Sequence, residues 1–181
     1  MSANYDLTDK KIAVLVATKN TALLKEICDF LHTTKASLTA VTPQGQEDMG
    51  WDAGKAIRID LADSGHFDAV LIITDREGNE KVMDCINADH FLSQFVEERK
   101  PISAVAGGPT LLGQLGLLTD REVSCDQIDR VRMENFGAIL SPHSMTTQNG
   151  LTTADSSMSA DEFARKVAEE VKEGRQLGQR A

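Results

Sequence analysis

Cysteine and histidine side chains are the first guide to what chemistry this 181-residue chain can support. Cys28 and His32 are four residues apart in a segment of helical periodicity, which is the spacing of half a metal site. No second pair of Cys or His lies nearby in sequence, so we interpret them as a half-buried thiol and a histidine at a helix C-terminus. His143 and Ser144 are adjacent, but no third member of a catalytic triad accompanies them. We therefore predict no metal site.

The other two cysteines lie in different settings. Cys125 ends a predicted strand and is followed by Asp126, whose negative charge disfavours a thiolate. We interpret Cys125 as a buried or half-buried bystander, with a displaced nucleophile as the alternative. Cys85 lies in a polar stretch and is expected to be the most exposed thiol, but nothing near it in sequence would tune its reactivity.

Charged residues follow one apolar run directly, in the segment "TDREGNEK" at 74–81. In this segment Asp75 and Glu77 could serve as acid and base, and Arg76 could bind an anion. The alternative is a solvated loop, which is the more common role of such a segment. We favour the loop.

A further candidate site is the stretch "AVAGGPTLLGQLGLL" at 104–118. It predicts a strand, a tight turn and a helix, the layout with which many α/β enzymes present a nucleophile. The turn residues Ala106, Gly107 and Gly108 carry no reactive group. The two glycines could cradle a small anion with backbone N–H groups at the helix start, although Pro109 in the first turn also serves simple helix initiation. No phosphate-binding or dinucleotide-binding glycine motif occurs, and we predict no cofactor.

The elements that would position these residues alternate between strand and helix. Apolar runs of strand length occur at 11–17, 37–42, 67–74 and 101–106, and helical periodicity occurs at 23–31 and 89–98. Such alternation predicts a mostly parallel sheet with helices on both faces. Ligands bind at the carboxyl edge of such sheets, which here comprises residues 17–18, 74–75 and 106–107.

Shorter elements are predicted around this sheet. Residues 49–61 are expected to form a small hairpin or edge excursion, and residues 145–153 a hairpin that turns at Asn149-Gly150. Strands are predicted at 121–125 and 137–140, with a helix at 127–135 between them. A last helix is expected to begin at the capping box of Ser159 and Glu162 and to end at Gly174.

Composition excludes several classes of function. The net charge of −9 disfavours nucleic acid and anionic membranes as partners, since binding to phosphate groups requires clustered Lys and Arg. No apolar stretch approaches the length of a membrane span, and an odd number of scattered cysteines favours the cytoplasm. The length suits one domain, 1–181, with its core at about 11–173 and loosely held tails.

The order of these elements, together with four stretches, resembles the ThiJ/PfpI family of the class I glutamine amidotransferase-like superfamily. The resemblance extends from about residue 11 to 171 and rests on "KKIAVLVA", "FDAVLII", "KPISAVAGGPTLLGQLGLL" and "LTTADSSMSADEFARKVAEEV". It implies an α/β three-layer sandwich of flavodoxin-like type with a mostly parallel central sheet. It also implies a homodimer.

The family's chemistry uses a cysteine at the strand-to-helix turn, a histidine after it, an acidic residue near the first helix, and backbone N–H groups of a Gly-Gly pair. In this chain the cysteine and histidine positions are Ala106 and Gly107, and the Gly-Gly positions are Thr74 and Asp75. The acidic position falls at 22–24, where there is no carboxylate. We therefore expect no catalytic residues, and a vestigial binding site at Thr74, Asp75, Ala106, Gly107 and Gly108.

The resulting expectation is a non-catalytic, stress-related or binding protein of this family. One alternative is an enzyme of hydrolase or glyoxalase type whose chemistry has moved to Asp75, Glu77 or Cys125. A second is a binder of a small anion or metabolite at Gly107-Gly108. A third is an accessory domain of a larger assembly, because two stretches, "NADHFLSQFVEERKPISAVAG" and "SADEFARKVAEE", are similar to the C-terminal domain of large-subunit catalases.

Overall fold

A seven-stranded sheet with helices on both faces forms the centre of the fold. The computed structural model describes residues 5–45 and 56–174. The strands of the sheet are β1 (Lys11–Ala17), β2 (Ser37–Thr42), β3 (Ile57–Arg58), β4 (Ala69–Thr74), β5 (Ile102–Ala106), β8 (Met145–Gln148) and β9 (Leu151–Ala154). Their order in the sheet is β3-β2-β1-β4-β5-β9-β8, and every neighbouring pair is parallel except β8 and β9. A separate parallel pair is formed by β6 (Glu122–Val123) and β7 (Ile139–Leu140).

Six α-helices are present in the described residues. They are α1 (Thr21–Thr33), α2 (Arg76–Met83), α3 (Ala88–Glu97), α4 (Gly108–Gln114), α5 (Arg130–Asn135) and α6 (Ala160–Glu173). As predicted, α6 begins at the Ser159 cap, whose hydroxyl accepts a hydrogen bond from the Glu162 N–H, and it ends at Gly174 in the left-handed conformation. None of the helices in this part of the chain is long and apolar enough to cross a membrane.

The central strands are buried on both sides, which explains their nearly continuous apolar sequence. Alternate residues of β1 belong to two different hydrophobic cores. Ile12 and Val14 belong to the core that contains Phe163 of α6, whereas Ala13 and Leu15 belong to the core that contains Phe95 of α3. The sheet is thus the middle of three layers, in agreement with the predicted fold class.

The predicted hairpin around Asn149-Gly150 is confirmed. Strands β8 and β9 pair in antiparallel register, with Gln148 opposite Leu151, and both turn residues have positive φ angles. A two-residue turn of this kind matches the twist of a hairpin. Because β8 pairs only with β9, the hairpin forms one edge of the sheet.

Of the small hairpin or edge excursion predicted over 49–61, residues 49–55 lie outside the described residues, and the described part lies at the edge of the sheet without an antiparallel pair. Ile57–Arg58 forms a short edge strand parallel to β2, and Ile59–Leu61 forms a 3-10 turn. The alternation of apolar residues was misleading because the turn buries Ile59 in the core and leaves Leu61 71% exposed. The Arg58 side chain donates to the Asp60 carboxylate at 2.6 Å across this turn.

The charged segment after β4 is a helix, α2, and not the solvated loop that was predicted. Its start is fixed by Asp75, whose carboxylate accepts a hydrogen bond of 2.7 Å from the Gly78 N–H. Only Gly78, Asn79 and Val82 of this helix are buried. With a single large apolar residue on its inner face, α2 has no hydrophobic periodicity that would reveal it in the sequence.

Candidate functional site at the carboxyl edge of the sheet

The ends of three neighbouring strands meet at one point of the carboxyl edge. Ala17 of β1 pairs in register with Thr74 of β4, and Thr74 pairs with Ala106 of β5. A cavity of about 660 Å³ opens above them. We call it the elbow cavity; its walls are Thr18, Lys19, Asn20, Thr74, Asp75, Arg76, Asn79, Glu80, Ala106, Gly107, Thr110, Gln114, Asp126, Ile128, Asp129 and Arg132. The edge predicted from the strand pattern therefore borders a cavity large enough for a small molecule.

Ala106 occupies the turn between β5 and α4 in the left-handed conformation, with a φ of 58°. This conformation costs a residue with a Cβ about 1–2 kcal/mol relative to an ordinary backbone. Strain of this kind persists only where surrounding contacts hold it. Here the Gly107 N–H donates to the Thr74 carbonyl at 2.7 Å, and the Leu111 N–H donates to the Gly107 carbonyl at 3.0 Å.

The two glycines after Ala106 are required by close backbone packing. A Cβ on Gly107 would lie 2.9 Å from the Thr74 carbonyl oxygen, and one on Gly108 would lie 2.9 Å from the Ile72 carbonyl oxygen. A histidine at 107 would therefore force the turn away from β4. Gly107 lies in the cavity wall, whereas Gly108 is buried behind it.

Two backbone N–H groups at this edge, those of Asp75 and Gly107, are already engaged. The Asp75 N–H donates to the Ala17 carbonyl at 3.0 Å, and the Gly107 N–H donates to Thr74 as described above. An oxyanion hole needs N–H groups that point at the developing charge. Neither of these two N–H groups is available for that role or for cradling an anion.

Asp75 lies in the cavity wall as predicted, but its carboxylate is bound on several sides. It accepts hydrogen bonds from the Gly78 N–H at 2.7 Å and the Lys19 N–H at 2.8 Å, and from the Thr18 side chain. Partial burial would raise the pKa of Asp75, but these hydrogen bonds outweigh it and hold the pKa below its ordinary value. Asp75 is consequently a weak proton acceptor that joins the start of α2 to the loop after β1.

Glu77, the second carboxylate of the acid-base hypothesis, does not line the elbow cavity. It forms an ion pair of 2.6 Å with the Lys19 ammonium, and this contact lowers the pKa of the Glu77 carboxyl. Both groups are largely exposed, so the pair contributes little to stability. The structure therefore does not bring Asp75 and Glu77 together in the elbow cavity; both line a smaller cavity of about 100 Å³ beside Lys19.

The floor of the elbow cavity contains polar atoms that sequence reasoning missed. The Asn79 side chain, 3% exposed, donates from Nδ2 to the Gly107 carbonyl at 2.9 Å, which fixes the orientation of its amide. Its Oδ1 has no partner, and neither have the Thr74 hydroxyl and the Oε1 of Gln114. A buried polar atom without a partner costs about 1–3 kcal/mol. Three residues in the walls of the elbow cavity thus contain a buried polar atom without a hydrogen-bond partner.

Comparison with known proteins identifies the fold family. The model of the DJ-1/PfpI family matches residues 10–170. The chain belongs to the DJ-1/PfpI family. The YraA protein of Bacillus subtilis (strain 168), whose name provisionally describes a cysteine protease, is 26% identical over 171 residues, which span 87% of this chain and 95% of YraA.

Solved structures agree with this DJ-1/PfpI fold. DJ-1beta of Drosophila melanogaster superposes with a TM-score of 0.75 at 18% identity, covering 91% of this chain and 95% of that one. A two-domain protein of Anabaena variabilis, with DJ-1/ThiJ/PfpI-like and ferritin-like domains, gives a TM-score of 0.79 at 21% identity. The match covers 90% of this chain but only 50% of the two-domain protein.

The cysteines of this DJ-1/PfpI chain lie away from the elbow cavity, since none of the three is in its walls. Burial raises the pKa of Cys28 to about 12 and that of Cys125 to about 11. Burial also raises the pKa of Cys85, whose sulfur lies 3.2 Å from the Lys81 carbonyl oxygen. A lowered pKa favours the thiolate, so these raised values disfavour the reactive form of all three thiols.

The rim of the elbow cavity carries charges of both signs. Arg76 and Arg132 are exposed and have no carboxylate within ion-pair distance among the described residues. Burial and the neighbouring Asp126 raise the pKa of Asp129, while the two arginines lower it. Asp126 is held in place by the Ser156 N–H and hydroxyl, at 2.6 and 2.7 Å.

The remaining candidates from the sequence do not form a second site. Within residues 5–45 and 56–174, no group of three or more His, Cys, Asp and Glu side chains is placed to hold a metal ion. Cys28 is fully buried in the core beside α6. The Ser144 hydroxyl accepts a hydrogen bond from the Ser157 hydroxyl at 2.9 Å, and His143 is exposed.

Proposed function

We propose that this member of the DJ-1/PfpI family is a non-catalytic protein that binds a small polar molecule in the elbow cavity. The observation that carries the proposal is Ala106. Its left-handed backbone keeps the shape of a nucleophile elbow, while its side chain is a methyl group that cannot attack a substrate. The engaged N–H groups of Asp75 and Gly107 support the same conclusion.

Binding is supported by the polar floor and the charged rim. A ligand that donates hydrogen bonds to the Asn79 Oδ1 and the Gln114 Oε1 would offset the cost of burying these acceptors. A carboxylate on the same ligand would lie toward Arg76 and Arg132. Amino acids combine both kinds of group, whereas small amides supply the hydrogen-bond donors alone. Thr74, Asp75, Ala106 and Gly107 belong to this proposed site as parts of its wall.

Activity assays with methylglyoxal and with a peptidase substrate test the non-catalytic part. We expect no turnover above the rate without protein. Turnover that survives Cys125→Ala would overturn the proposal and would assign the chemistry to residues other than that thiol. Turnover that Cys125→Ala abolishes would also overturn it and would assign the reaction to that thiol.

Thermal-shift screening of free amino acids and small amides tests the binding part. A ligand that binds the native state raises the melting temperature. We expect such a shift for the wild type and its loss in Asn79→Ala, whereas Asn135→Ala, an exposed asparagine at the end of α5, should behave as the wild type. No shift across the whole panel would contradict binding of this ligand class.

The proposal extends to a homodimer with a stress-related role, as the family resemblance implies, and to a location in the cytoplasm, which the odd number of scattered cysteines favours. Light scattering coupled to size exclusion tests the dimer directly, and a monomer mass would refute it. A second candidate is an accessory domain in a larger assembly. The two-domain Anabaena variabilis protein favours it, because this fold is joined there to a ferritin-like domain. A pull-down that retrieves a specific partner would support this candidate.

A further inference from the structure

A second cavity, of about 350 Å³, lies at the opposite, amino edge of the sheet. It is enclosed by the end of α3, the start of β5 and the turn between β8 and β9. We call it the amino-edge cavity; its walls are Phe95, Val96, Arg99, Lys100, Ile102, Arg121, Asn149 and Gly150. These walls contain three cations and no carboxylate, in a chain whose net charge is −9. The local charge is therefore opposite to that of the molecule.

Arg121 is the cation in this cavity that most needs a partner. Its guanidinium donates from Nη2 to the carbonyl oxygens of Gln148 and Asn149, at 3.1 and 3.0 Å. Its Nε is buried and has no hydrogen-bond partner, and no carboxylate lies within ion-pair distance among the described residues. A half-buried cation without a counter-charge is unfavourable, and burial lowers the pKa of Arg121 accordingly.

The other two cations differ in the number of polar contacts that they already form. Lys100 forms an ion pair with Glu98 at 2.6 Å, donates to the Ser64 carbonyl at 2.8 Å and lies over the Phe95 ring. Arg99 is exposed, and its guanidinium has no hydrogen bond or ion pair among the described residues. Lys100 thus builds the wall, while Arg99 and Arg121 retain donors for a ligand.

We propose that the amino-edge cavity binds an organic anion, a phosphate monoester or a carboxylate carried on an apolar body. The anionic group would lie between Arg121 and Arg99 and would accept hydrogen bonds from their guanidinium groups. The body would contact the apolar side of the cavity, formed by Phe95, Val96 and Ile102. This site is separate from the elbow cavity, and its test does not depend on the function proposed there.

Titrations of the full chain with phenyl phosphate and with benzoate, followed by amide NMR, test this site. We expect either anion to shift the amide signals of Ile102 and Gly150 and to bind more weakly as salt is added. Inorganic phosphate lacks the apolar body, so its affinity should be lower than that of phenyl phosphate by about tenfold or more. Equal affinity for inorganic phosphate would overturn the apolar part of the proposal.

Three variants locate the binding. Arg121→Gln and Arg99→Gln should each weaken binding by about tenfold or more, since each removes hydrogen bonds from a charged group. The Arg99 side chain forms no hydrogen bond or ion pair among the described residues, so Arg99→Gln should fold and is informative even if Arg121→Gln does not. The matched control is Arg58→Gln on the exposed edge strand β3, outside the walls of both cavities, which should bind as the wild type. Failure of both anions to bind, or unchanged affinity in Arg99→Gln, would overturn the proposal.

Discussion

Replacement of Ala106 by glycine measures how strongly the fold holds its strained turn. Three contributions to the free energy of unfolding oppose one another. Glycine removes the left-handed strain of about 1–2 kcal/mol, but it loses about 0.4–1 kcal/mol through the greater entropy of the unfolded chain. Removal of the half-buried methyl group costs part of the roughly 0.8 kcal/mol that a fully buried carbon contributes. The sum is close to zero, and we expect the free energy of unfolding of Ala106→Gly to lie within about 0.5 kcal/mol of the wild-type value.

Ala104→Gly is the matched control, two residues earlier in the same strand. Ala104 is fully buried and has no left-handed strain to relieve. Its replacement keeps both unfavourable contributions and should destabilise the protein by about 1.5 kcal/mol. Urea denaturation followed by circular dichroism measures both variants. If Ala106→Gly destabilised the protein as much as Ala104→Gly, the left-handed strain at Ala106 would be refuted.

Three further predictions concern Asp75, Gly78 and Cys85. Asp75→Ala should destabilise the protein by about 1–3 kcal/mol in urea denaturation, because α2 loses its cap and the Lys19 N–H loses its acceptor. The folded-state pKa of Asp75 is lowered. The stabilisation that its ionised carboxylate gives the wild type should therefore be complete above the ordinary pKa of 3.8, and it should disappear as pH falls through the lower, folded-state pKa. Gly78→Ala should cost at least about 3 kcal/mol or abolish folding, because its Cβ would overlap the Ala17 carbonyl group. In the native protein Cys85 should react with a thiol reagent before the two buried cysteines, which mass spectrometry of the labelled peptides would show.

Each of these predictions has an outcome that would contradict it. An Asp75→Ala variant as stable as the wild type at neutral pH would show that the carboxylate does not hold the two segments together. A stable, fully folded Gly78→Ala protein would contradict the close approach of α2 to β1. Labelling of Cys125 at the rate of Cys85 would contradict its burial, and comparison with the urea-unfolded protein provides the control.

Local sequence patterns were sufficient to predict the sheet and the edge where the elbow cavity lies. Buried parallel strands have continuous apolar sequences, so β1, β4 and β5 were recognisable, and their ends had to meet at one edge. The turn at 106–108 was visible because strand, glycines and helix follow one another directly in the chain. The hairpin at Asn149-Gly150 was predicted for a similar local reason.

Features that depend on contacts between distant segments could not be predicted in this way. Helix α2 is stabilised by its cap and by close packing of Gly78 against β1, not by a repeating apolar pattern. The role of Asn79 depends on the Gly107 carbonyl, 28 residues further along the chain. The amino-edge cavity, which contains Arg121, forms only where α3 and the β8–β9 turn lie close together in space. The spacing of residues along the sequence does not reveal these contacts.

The walls of the elbow cavity have a consequence for how the protein responds to oxidants. Among the described residues that form them there is no cysteine and no methionine. Peroxide and electrophiles modify sulfur side chains first, and a thiolate at the elbow would be converted to sulfenic or sulfinic acid. With Ala106 in that place, the lining stays chemically unchanged under such conditions. Whatever occupies the cavity therefore meets the same surface in an oxidised cell as in a reduced one.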